Sequence, residues 1–176
     1  FGKLTEIFQQ VQGAFVQLFI RVDTPHENDS VPDQDYTVMD EARINSINMS
    51  LEDAQKNTLF DIKIPTYLPE GFELESVVVI KRDNQKSEEI YLQYEDDERS
   101  FIINEKIISD SIGVSIISDQ DDTLYEEITI KDQPANLIYY KDGNLNLVWV
   151  ISNYYYIDIK GQLTKDEIIK IANSMQ

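Results

Sequence analysis

Apolar residues along most of this chain recur every second position, and the turns between those runs are marked by acids, prolines and glycines. Residues 76–81 hold Val77, Val78, Val79 and Ile80 and are apolar on both faces, which predicts a central strand. Ile90, Leu92 and Tyr94 share one side of a strand over 89–94, and residues 99–103 pair back after the charged turn 95–98. Residues 114–117 suit a strand and 119–123 a loop. Residues 127–131, 135–140, 145–151 and 154–160 then read as an antiparallel meander. Asp142-Gly143 predicts a two-residue hairpin loop with φ > 0 at both positions, and Ser152-Asn153 the next turn. Leu145, Leu147, Trp149 and Ile151 fall on one face, as do Tyr155, Ile157 and Ile159 on the following strand.

Three segments break the period of two. Over residues 1–22, Leu4, Phe8, Val11, Phe15, Leu18 and Val22 step by four and three, with Ile7, Ala14 and Phe19 widening the stripe, which predicts an amphipathic helix. Gly13 weakens its middle by about 1 kcal/mol relative to Ala, and residues 15–22 are rich enough in β-formers to make a strand instead. Such a helix would pack on its own domain, on a membrane surface or on a partner. Ser50 is placed to cap a short helix, with Glu52 and Asp53 at its positive end and Leu51, Ala54 and Leu59 inward. Near the C-terminus Thr164 and Glu167 form a capping box, Leu163 and Ile168 a hydrophobic staple, and Ile168, Ile171, Ala172 and Met175 a buried stripe.

Between the short helix and the first strand, Phe60, Ile62 and Ile64 alternate into Pro65-Thr66-Tyr67-Leu68-Pro69-Glu70-Gly71-Phe72. Two prolines four apart exclude a helix or a central strand, and Glu70-Gly71 permits a sharp turn, so this stretch is a rigid elbow that starts a sheet. The fold class that follows is α+β: an antiparallel sheet with helices packed on one face, plus the N-terminal amphipathic helix. The organisation is a helix over 1–22, an acidic linker over 23–48 carrying Pro25 and Pro32, and one domain over 49–176.

Composition narrows the function. With 176 residues and 41% hydrophobic content the chain can bury a core. A formal net charge of -18 argues against nucleic acid and against an anionic membrane surface. Without cysteine there is no disulfide, thiolate metal site or thiol nucleophile. The single histidine, His26, lies in the acidic linker, a poor place for a triad base. No phosphate-binding, dinucleotide-binding or zinc-protease motif is present. Asp119-Gln120-Asp121-Asp122 resembles a calcium loop only faintly, because the glycine is missing and Ile130 stands where the bidentate glutamate belongs. The acids are expected to lie on a wet exterior. The expectation is no catalytic residue, no cofactor and no metal.

Aromatic residues are the remaining candidates. Trp149 alternates with Leu147 and Ile151 as a core residue does. Tyr154 and Tyr156 share a face with Asp158 and Lys160 and are expected to be exposed, and with Tyr139 they are the candidate partner-binding residues.

Two stretches carry a family likeness. Ser50-Leu51-Glu52-Asp53-Ala54-Gln55, followed by the apolar run into the elbow, resembles the opening of an uncharacterised bacterial domain-of-unknown-function family (DUF4367-like). Leu147-Val148-Trp149, the tyrosine-rich strand, Gly161 and Leu163-Thr164-Lys165-Asp166-Glu167 are similar to its ending. Such domains follow the membrane anchor in anti-sigma-factor-like proteins and lipoproteins of Gram-positive bacteria. The resemblance implies a non-enzymatic extracytoplasmic sensor or partner-binding domain of a membrane-anchored regulatory protein, with the anchor upstream of Phe1 and a protein partner or surface ligand outside the membrane. The alternative is a cell-wall glycan- or lipid-binding module of a surface lipoprotein. No catalytic residue is implied.

Overall fold

The computed structural model describes residues 5–12, 15–22, 44–82, 85–108, 114–119, 123–151 and 154–176; of these, 5–12, 15–22, 44 and 114–119 are described by their backbone alone. The elements in chain order are β1 (Thr5–Gln12), β2 (Phe15–Val22), β3 (Ile44–Asn48), α1 (Leu51–Asn57), β4 (Glu73–Arg82), β5 (Glu89–Glu95), β6 (Ser100–Ile107), β7 (Val114–Asp119), β8 (Thr123–Ile130), β9 (Gln133–Tyr140), β10 (Leu145–Ile151), β11 (Tyr155–Gly161) and α2 (Lys165–Ser174). They form an antiparallel eight-stranded sheet in the order β3-β4-β5-β6-β11-β10-β9-β8 and a three-stranded sheet in the order β1-β2-β7.

The N-terminal helix is not found. Residues 5–12 and 15–22 are two antiparallel strands in a register that opposes Phe8 to Phe19 and Val11 to Val16. The physical reason lies in Phe15, Val16, Phe19, Ile20 and Val22, β-branched and aromatic residues whose strand preference outweighs a helical stripe already interrupted by Gly13. Residues 44–48, at the end of the acidic stretch, pair with β4 as an edge strand, while 23–43, including His26, lie outside the described residues. Of the acidic loop, Asp119 closes β7 and residues 120–122 lie outside the described residues.

The inward face of the large sheet is read directly from strand phase. Val77 and Val79, Ile90, Leu92 and Tyr94, Phe101 and Ile103, Ile157 and Ile159, Leu147 and Trp149, and Ala135 and Leu137 join one core with Ala54 of α1 and Ile168, Ile171 and Ala172 of α2. Trp149 is 1% exposed, as its phase predicts. Both faces of β10 are buried from Leu145 to Val150, so the far side of the sheet is covered there as well. The β9–β10 connection differs from expectation. Tyr140 N–H donates to Asn144 O (3.0 Å), Gly143 N–H donates to Tyr140 O (3.0 Å), and of the two residues only Gly143 has positive φ (+87°). The loop therefore has three residues, with Gly143 alone in the left-handed region.

Elbow and final helix close on each other. Ile64 and Gln176 exchange backbone hydrogen bonds (3.2 Å each way), and Thr66 N–H and Tyr67 N–H donate to Ser174 O (3.3 Å) and Ser174 Oγ (3.1 Å). Pro65 and Pro69 are buried, and Gly71 (φ +89°) turns the chain so that Phe72 enters the core against Phe101, with ring centroids 5.1 Å apart. Arg99 ties the corner together: its guanidinium lies 4.9 Å from the Phe72 ring and pairs with Asp96 (3.0 Å) and with the capping-box residue Glu167 (3.3 Å).

Candidate functional site

The segment between α1 and the elbow is a strap tied down at intervals, and a cleft lies beside it. Asp53 N–H donates to the Ser50 cap (3.2 Å), and α1 ends after two turns at an extended Thr58. Gln55 then staples the following residues, donating from Nε2 to Phe60 O (2.9 Å) and accepting from Ile62 N–H (2.9 Å). Leu59 N–H donates to Ser87 O (2.9 Å), anchoring the strap to the start of β5. With these donors satisfied, Ile62 turns into the core while Leu59 stays exposed.

The cleft has a volume of about 600 Å³ and is lined by Leu59, Phe60, Lys63, Lys86, Tyr154 and Tyr155 among others. Leu59 is 56% exposed and Tyr154 49% exposed, two of six large apolar side chains left to solvent among the described residues. Leu59 was expected on the inner side of α1; it lies beyond the helix end, where the strap has already turned outward. Tyr154 is positioned by its backbone, whose carbonyl accepts from Ile108 N–H (2.7 Å). Phe60 meets Tyr155 edge-on at 5.1 Å, and Lys63 Nζ stands 5.9 Å from the Tyr155 ring.

Behind Tyr155 is a carboxylate that composition hides. Glu105 is fully buried on the core face of β6. Its Oε2 accepts from the Tyr155 hydroxyl and from Lys63 N–H (3.0 Å), while Oε1 has no hydrogen-bond partner, and neither does the nearby Tyr94 hydroxyl. Burial raises the Glu105 carboxyl to about 7, against the opposing pull of the Tyr155 hydroxyl and the Lys63 amide. Burial and the adjacent carboxylate together push the Tyr155 hydroxyl well above its usual value. Tyr155 thus forms a fixed wall between Glu105 and the cleft, which presents ammonium groups, aromatic edges and apolar surface to a ligand. Strand phase was the signal that could have found Glu105: Phe101, Ile103 and Glu105 are successive inward positions, but the predicted strand stopped at 103.

The three tyrosines named from the sequence do not converge. Tyr154 is at the cleft. Tyr139 is half-buried on β9, its hydroxyl donating to Glu126 (2.7 Å), which also pairs with Lys165 of α2 (2.6 Å). Tyr156, expected to be exposed, is 4% exposed and donates to Asp158 (3.2 Å). Its phase does place it opposite the core, but that face is also covered beside β10. Among the described residues no group of three His, Asp or Glu side chains could hold a metal ion, and no helix is long and apolar enough to cross a membrane.

An uncharacterized protein of Methanocaldococcus jannaschii, MJ0687, is 28% identical over 137 residues, covering 72% of this chain. The chain spans only 36% of that relative's length. No solved structure matches. The family described as "Domain of unknown function (DUF4367)" matches residues 62–175, a stretch that contains both the elbow and the capped final helix. The chain belongs to the DUF4367 family.

Proposed function

We propose that this chain is a non-enzymatic partner-binding domain of a membrane-anchored, anti-sigma-factor-like regulatory protein, working outside the membrane, and that the cleft between the α1 strap and the β10–β11 hairpin takes an extended segment of a protein partner. One observation carries the reading: Leu59 and Tyr154, both about half exposed, flank the same cleft. Exposed aromatic and aliphatic side chains around a concavity are the anchors that partner recognition uses. Lys63 and Lys86 outnumber Asp61 along the cleft of a chain of net charge -18, which favours a segment bearing a carboxylate beside its apolar side chain. The extracytoplasmic setting rests on the resemblance of the elbow and terminal helix to domains that follow a membrane anchor.

The test is site-specific photocrosslinking in cells that make the full-length protein. A photoreactive phenylalanine at position 154 is expected to form a discrete adduct with one protein, and the same group at Leu124, 74% exposed on edge strand β8, is expected not to. Equal labelling from both positions, or none from 154, contradicts the proposal. Digestion of residues 1–176 by protease added to intact cells checks the setting; full protection contradicts it.

A further inference from the structure

The face of the sheet opposite the helices carries a second pocket of different chemistry. Its floor is a row of paired positions, Tyr91 on β5, Asn104 on β6 and Asp158 on β11, with Ile102 and Lys160 in the next row. Asp158 alternates with the core residues Ile157 and Ile159, which places it on the far face. The pocket has a volume of about 470 Å³, within the ~300–1,000 Å³ of small-molecule sites, and its lining includes Asn144 and Gln162 at one end. Gly161 keeps β6 and β11 close at that end, since a Cβ there would stand 2.4 Å from Ser100 O.

Three features define what fits. Asp158 accepts from Tyr156 through Oδ2 (3.2 Å), but its buried Oδ1 has no hydrogen-bond partner, so an oxygen that can only accept, or share a proton, is left unused. The pocket lining carries one acid, Asp158, and one base, Lys160, whose ammonium rests 5.0 Å from the Tyr140 ring, while neighbouring Glu89 is paired with Lys106 (3.8 Å) and bonded by Tyr91 (2.7 Å) and Asn104 (3.2 Å). Finally, the Tyr91 ring is fixed by its bond to Glu89, and Ile102 is 40% exposed at the rim, giving apolar surface beside amide and carboxylate.

A net-neutral pocket with an unused acceptor, side-chain amides and an aromatic ring matches neither a purely apolar chain, which would leave the oxygen stranded, nor an isolated ion. We propose that it binds a neutral sugar ring of an oligosaccharide, with ligand hydroxyls donating to Asp158 and the ring's apolar face set against Tyr91 and Ile102. The site is independent of the helix-side cleft and does not rest on the function proposed for it.

The experiment titrates the 1–176 chain with chitotetraose, cellotetraose and maltotetraose, followed by calorimetry and amide chemical shifts. Saturable binding of at least one sugar is expected, with shifts centred on 91, 102, 104 and 158. Asp158→Ala should weaken that binding at least tenfold. Ile102→Trp, at a partly exposed rim position, fills the pocket mouth; it should abolish binding in a protein whose thermal unfolding is unchanged, so the test survives if the Asp158 variant misfolds. Tyr154→Ala, at the other site, should leave sugar binding intact. No saturable binding of any of the three sugars overturns the proposal. So does binding that Ile102→Trp does not affect, or tighter binding of choline than of every sugar.

Discussion

Replacing Glu105 with glutamine removes a buried charge while keeping an oxygen for the Tyr155 hydroxyl and the Lys63 amide. In the folded chain the carboxyl keeps its proton up to about pH 7, against 4.5 for the ordinary group. Between those two values the native state holds one proton more than the unfolded state, so stability falls as pH rises, and the full loss is present above pH 7. Moving a carboxyl that far corresponds to about 3 kcal/mol, undiminished by solvent screening because the group is fully buried. Glutamine does not titrate, so Glu105→Gln should abolish this slope: relative to the parent, the variant gains about 2.5 kcal/mol between pH 5 and pH 8, the rest of the effect lying below pH 5. Its absolute stability at pH 5 is lower by ~1–3 kcal/mol wherever its amide N–H groups lack acceptors, which is why the difference in slope is the diagnostic quantity. Asp158, which burial raises to about 6, is present in both proteins and cancels. Asp96, Glu126 and Asp142 lie below the usual carboxylate range, held chiefly by the Glu98 amide, by Lys165 and by the Asn144 amide, so their contributions are lost only at lower pH. Urea unfolding of both proteins at pH 5, 6, 7 and 8 reads the effect. Parallel curves, or a parent that gains on the variant as pH rises, would refute the assignment.

Other expected outcomes concern the scaffold. Gly161→Ala places a Cβ 2.4 Å from Ser100 O and 2.5 Å from Phe101 Cα, backbone that cannot move aside, and should cost about 2 kcal/mol or more in chemical denaturation. Thr164→Ala removes one side of the capping box and should cost ~1 kcal/mol, with faster amide exchange confined to the first turn of α2. Lys131 and Asp132 form the β8–β9 turn with φ of +47° and +63°, a conformation that favours glycine, so Asp132→Gly should raise stability by up to about 1 kcal/mol; a loss would show that the aspartate side chain supports the turn.

The parts of this fold that could be foreseen are those where one physical signal stood alone. The β9–β11 part of the meander followed from apolar runs between turn signals, whereas β8 starts at Thr123, four residues before the predicted strand; α2 followed from a Thr164–Glu167 box that the structure forms in full. The elbow followed from proline chemistry, although nothing in the sequence showed that its partner would be the end of α2. Residues 5–22 misled because a four-and-three spacing and a β-rich composition coexist there, and strand pairing with β7 favours the second. Tyr154 was legible as an exposed aromatic, although alternation puts it inside a strand that begins one residue later, at Tyr155. The rest of the cleft was not: Leu59 reads as the inner face of a helix that in fact stops at Asn57. Glu105 was hidden because charge is assigned to the surface by default, and only strand phase, carried two residues further along β6, turns it inward. Tyr156 shows the converse limit, since phase tells which face a residue takes but not whether that face is covered.

The central claim is that the strap-side cleft is the contact surface, and the affinity of the purified 1–176 chain for the partner trapped from position 154 tests it most directly. The account predicts that Leu59→Ser with Tyr154→Ala weakens binding at least a hundredfold while thermal unfolding stays unchanged, as expected for two exposed anchors. An affinity equal to that of the parent chain would contradict it.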